Sequence, residues 1–79
     1  VYLVHEIIRI TGDQHSTKYF TKVVRELSED TVWVLISETK QASLEGRIKE
    51  TAAKYFTDLA ERELAKARAA KNQLGMFSS

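Results

Sequence analysis

Apolar positions return at helical spacing in four successive stretches of this chain. In the first, Leu3, Val4, Ile7, Ile8 and Thr11 repeat at i, i+1, i+4 and i+5, with Glu6 and Arg9 off the stripe. That spacing predicts a helix ended by Gly12, a residue suited to a left-handed helix terminus. The β-branched content admits a strand, but strict alternation fails at Leu3-Val4 and Ile7-Ile8. In the second stretch Phe20, Val23, Val24 and Leu27 form one face, and Lys18, Lys22, Arg25 and Glu26 lie outside it. A helix over residues 15–28 follows, with Asp13 and Ser16 as candidate N-caps.

The third stretch is the densest apolar run, Thr31-Val32-Trp33-Val34-Leu35-Ile36-Ser37, and holds the only tryptophan. Its short, β-branched character suits a buried strand. As a helix, Val32, Leu35, Ile36 and Thr39 share a stripe that Ala42 and Ser43 continue, and the boundaries are better. Ser28 supplies a cap, Glu29 and Asp30 put negative charge on the first turn, and Gly46 stands where a C′ residue would close the helix. A central helix over residues 29–45 is the expectation. Trp33 should then be largely buried against Val23, Val24 and Leu27.

Beyond Gly46 a polar connector carries Ile48, expected to plug back into the core, and Thr51 can cap a last helix. There Ala52, Phe56, Leu59, Ala60, Leu64 and Ala67 lie on one face, bordered by Tyr55. Glu50 with Lys54 and Asp58 with Arg62 are spaced as i,i+4 ion pairs. Helix formers continue through Lys71. The pattern as a whole predicts an all-α fold, a compact bundle of four short helices of which the last is longest. Residues 1–72 would form one helical domain, with 73–79 a flexible tail ordered only if Leu74, Met76 and Phe77 find a groove.

Composition narrows this picture. A 79-residue chain makes one domain, and one this short buries only about 60% of its unfolded surface. With no cysteine, neither a disulfide framework nor a thiolate metal site can brace it. No apolar run approaches the roughly 20 residues that span a bilayer, and no signal-peptide pattern is present. No membrane contact and a cytoplasmic location are therefore expected. The chain opens on Val1, inside an apolar segment, which suggests a domain of a longer protein.

Candidate chemistry is sparse. His5 and His15 are the only histidines. Asp13, His15 and Ser16 are the residue types of a hydrolase triad, but sequence neighbours rarely reach triad geometry and a capping turn accounts for all three. A metal site built from His5 or His15 with Glu6 or Asp13 would be open and poorly anchored. Glu26, Glu29 and Asp30 cluster where a helix dipole explains them. No glycine-rich phosphate loop exists. No catalytic residue, metal, cofactor or small-molecule substrate is assigned.

Charge is more informative. Residues 1–46 hold five Lys/Arg against seven Asp/Glu, and residues 47–79 hold seven against four, so a net of −2 precedes a net of +3. Arg62, Lys66, Arg68 and Lys71 form a basic end to the last helix, with Lys54 and Arg47 as secondary cations. Such an end can neutralise phosphates. It can equally be a solvated face complementing a helix C-terminus. Trp33 and Tyr55 could stack on a base or anchor a partner; completing a small core is the commoner use of such residues.

The segment Val32-Trp33-Val34-Leu35-Ile36-Ser37-Glu38 through Ala42, the link Glu45-Gly46-Arg47-Ile48 and then Ala53-Lys54-Tyr55-Phe56-Thr57-Asp58-Leu59 resemble the helical replication modules of the DnaD type. They are also similar to C-terminal domains of plasmid and phage replication proteins. Where that family often has a tryptophan in its last helix, this chain has Arg62 and Glu63. The resemblance covers roughly residues 30–64. It implies a non-enzymatic module that binds DNA or a replication partner through its C-terminal helix and tail. The expected function is a DNA-associated accessory domain of a replication or mobile-element protein. The alternative is a protein-interaction or oligomerisation domain.

Overall fold

The computed structural model describes the backbone of residues 2–78 and the side chains of residues 2–70. It contains four helices: α1 Tyr2–Thr11, α2 Thr17–Glu26, α3 Glu29–Leu44 and α4 Ala52–Ser78. The all-α expectation holds, and α4 is the longest element. Lys71 and the tail expected at 73–79 lie outside the described side chains.

Local signals set most boundaries. Ser28 caps α3 by accepting from the Thr31 N–H at 3.2 Å, and Thr51 caps α4 by accepting from the Lys54 N–H at 3.1 Å. These bonds satisfy N–H groups that have no partner inside the helix. At the end of α3, Gly46 takes φ 70°. Its N–H donates to the Ser43 carbonyl at 3.2 Å, and the Arg47 N–H donates to the Ala42 carbonyl at 2.9 Å. Together these make a Schellman motif. Gly12 ends α1 with the same φ.

The second helix is shorter than its periodicity suggests. Asp13 clasps the preceding turn instead of capping a helix: Oδ1 accepts from the His15 N–H at 3.0 Å and Oδ2 from the Ser16 hydroxyl at 2.6 Å. Ser16 becomes the N-cap without a side-chain capping bond, and Leu27 leaves the helix in an extended conformation. Thr17–Glu26 therefore replaces the expected 15–28.

One core joins all four helices, and every pair of them is in contact. Val4 and Ile7, Phe20 and Val23, Val32, Leu35 and Ile36, and Phe56, Ala60 and Leu64 are buried. Phe20 meets Phe56 edge-on, with ring centroids 5.7 Å apart. Thr39, the one buried polar side chain among the described residues, donates to the Leu35 carbonyl at 2.9 Å and so is satisfied.

Trp33 departs from expectation. It is half-buried at the core margin and sits beside Tyr2 of α1, 6.1 Å between centroids. The stripe of α3 runs through Val32, Leu35, Ile36, Thr39 and Ala42. Trp33 stands about 100° round from Val32 and reaches only its edge. Ile48 is likewise half-buried and outside the core cluster.

Candidate binding surfaces

The basic residues do not gather into one patch. Arg62 and Lys66 line a groove between α3 and α4 whose walls also include Val34, Glu38, Leu59 and Glu63. Lys66 is held there by Glu63 at 3.1 Å. Arg68 stands about 120° away from Arg62 around α4 at helical spacing. At seven positions beyond Glu61 it shares the α4 face from which Glu61 bonds Tyr19 of α2. Lys54 pairs with Asp58 at 3.6 Å, and Arg47 pairs with Glu45 at 2.7 Å. Arg47 also donates to the Tyr55 hydroxyl at 3.4 Å. Lys54 was expected to pair with Glu50, but Glu50 precedes the Thr51 cap and lies outside α4.

Electrostatics agree with this dispersal. Hydrogen bonds from Gln41 and then Arg47 hold the Glu45 carboxyl below its ordinary range, while Glu45 and Tyr55 raise Arg47. These charges answer one another, which leaves less for an outside phosphate. Tyr19 donates its hydroxyl to Glu61 at 2.7 Å. Its pKa is raised, first by burial and then by that bond, so Tyr19 stays neutral and ties α2 to α4.

Asp13, His15 and Ser16 do come together, but as a turn. The carboxylate receives the His15 backbone N–H, and the Ser16 hydroxyl donates to the carboxylate. These bonds lower the Asp13 pKa, the Ser16 bond contributing most. Neither bond joins the His15 ring to Ser16, as nucleophile activation would require.

Two surfaces that sequence reasoning missed are apolar. Tyr2 is 65% exposed and tilted against the half-buried Trp33. An open groove of about 710 Å³ also runs between α1 and α2. Val4, Ile8 and Val24 form its apolar lining, and Thr17 and Thr21 add to its α2 side. Gln14, His5 and Arg25 supply its polar groups. Ile8 and Val24 could have signalled it, as members of stripes too wide for two short helices to cover. Comparison with protein-family models, curated proteins and solved structures finds no match.

Proposed function

We propose that this chain is a non-catalytic protein-interaction module that receives a basic, apolar-faced helix of a partner on the Tyr2–Trp33 edge. The observation that supports it is the aromatic pair itself, with Tyr2 65% exposed beside a half-buried Trp33. Large aromatic side chains concentrate binding energy at interfaces because they bury much area for little lost freedom. Glu29 and Asp30 stand at i−4 and i−3 from Trp33 and take part in no ion pair among the described residues. The α3 side of the edge therefore carries negative charge; Glu6, at i+4 from Tyr2, is paired with Arg9 at 3.5 Å. A cationic partner suits that flank.

A DNA-associated role in a replication or mobile-element protein, implied by the resemblance to DnaD-type modules, is the second reading. It is supported by Arg62 and Arg68, both exposed and in no ion pair among the described residues. Pairing of Lys54, Lys66 and Arg47 with carboxylates weighs against it.

Two titrations separate the readings, and the single tryptophan reports the first directly. An amphipathic leucine–lysine peptide should shift Trp33 fluorescence saturably, and Glu29→Lys combined with Asp30→Lys should abolish the shift. A fluorescent DNA duplex should respond weakly. Duplex binding with a log–log salt slope of roughly −3 to −4, lost when Arg62, Lys66, Arg68 and Lys71 become alanine, would put the second reading in place of the first.

A further inference from the structure

The α1–α2 groove lies apart from the Tyr2–Trp33 edge and differs from it in chemistry. Its volume of about 710 Å³ falls in the range of small-ligand sites, roughly 300–1,000 Å³. Its eight lining residues are far fewer than the ~20–30 per side that a stable protein interface uses. The size therefore suits a small molecule better than a partner protein.

The groove is also polarised along its length. Thr17 and Thr21 spend their hydroxyl protons on the Gln14 and Thr17 carbonyls, at 2.8 Å each. Both hydroxyl protons are thereby spent within the chain, so neither threonine hydroxyl is a free donor for a ligand. Arg25 lies at the other end of α2 and takes part in no ion pair among the described residues. His5 lines the same groove, and no carboxylate does. Thr17 and Arg25 lie roughly 12 Å apart at 1.5 Å per residue, a span that an extended chain of about ten carbons covers.

We propose that this groove binds an aliphatic monocarboxylate, its chain against Val4, Ile8 and Val24 and its carboxylate on Arg25. The molecule is a ligand held whole, with no bond made or broken. Guanidinium and carboxylate match as a bidentate pair, and the apolar lining removes methylenes from water. With the carboxylate on Arg25, the chain extends along α2 toward Gln14 and Thr17 at the connecting turn.

The test is a titration of the isotope-labelled 79-residue chain with sodium decanoate below its micellar concentration, read by amide shifts and calorimetry. One saturable site should appear, with shifts at Val4, Ile8, Thr21 and Val24. Octanoate should bind several-fold more weakly, since each buried methylene contributes roughly a two- to fourfold factor. Arg25→Gln, an exposed neutral substitution, should weaken decanoate roughly tenfold, and Arg25→Lys should recover part of the loss. Unchanged affinity in Arg25→Gln would overturn the proposal. So would equal binding of decyltrimethylammonium, or shifts centred on Tyr2 and Trp33.

Discussion

Between α3 and α4 the groove walls carry Glu38, Arg62, Glu63 and Lys66, and opposite charges sit over the apolar floor. Between α1 and α2 the lining is mostly apolar, with His5, Gln14 and Arg25 as its polar groups and Arg25 in no ion pair among the described residues. Both pairs are built from amphipathic helices. The difference is length and what the flanks carry. Long α3 and α4 bring enough turns to bury Leu35, Ile36, Phe56, Ala60 and Leu64 and to place charged side chains along the margin. Two ten-residue helices bury Ile7, Phe20 and Val23 but leave Ile8 and Val24 half-covered. An amphipathic stripe wider than its partner can cover becomes a surface, and in a domain this small a surface is available for binding.

The largest test of that contrast is Phe56→Ala. Phe56 is fully buried against Phe20, so its loss should cost about 3–5 kcal/mol, enough to unfold the domain in a urea melt. Val24→Ala in the open pair should cost about 1 kcal/mol or less, because Val24 is already partly in water. Equal losses would mean that the α1–α2 groove is closed in solution.

Gly12 and Gly46 test the ends of the same two pairs. Both hold φ 70° with open space where a Cβ would go. Gly12→Ala and Gly46→Ala should therefore each destabilise by about 1 kcal/mol through backbone strain alone. A neutral Gly46→Ala would mean that the Schellman ending is not what stops α3.

The smallest expected effect is the pH response of the turn before α2. The Asp13 pKa is lowered in the folded chain by its bonds to Ser16 and His15. Its contribution is present above the unfolded value and is lost as pH falls through the folded one. Asp13→Asn should lower the urea midpoint slightly at neutral pH and leave it unchanged at the acid end, where the carboxylate is protonated, so the acid limb flattens. An unchanged acid limb would show that the clasp contributes nothing to stability.

Helix count, most helix ends and most of the core, Trp33 and Ile48 excepted, were legible in the sequence because they depend on near neighbours. Ser28, Thr51, Gly12 and Gly46 act within four residues of themselves, and a 3.6-residue period specifies which side chains share a face. The expected α2 is present but shorter at both ends than 15–28, because Asp13 bonds within the turn and Leu27 leaves the helix extended. What only the tertiary structure decided is how those faces meet. Trp33 and Tyr2 lie 31 positions apart in sequence, and only the packing of α1 on α3 brings their rings to 6.1 Å. The cations of α4 look like one basic end in sequence, yet the helix period puts Arg68 on the face of Glu61, which bonds Tyr19 of α2, and Arg62 and Lys66 line the groove beside α3. Periodicity says which residues turn inward on one helix. How much of that face a second helix covers depends on lengths and crossing points, which no single stretch of sequence carries.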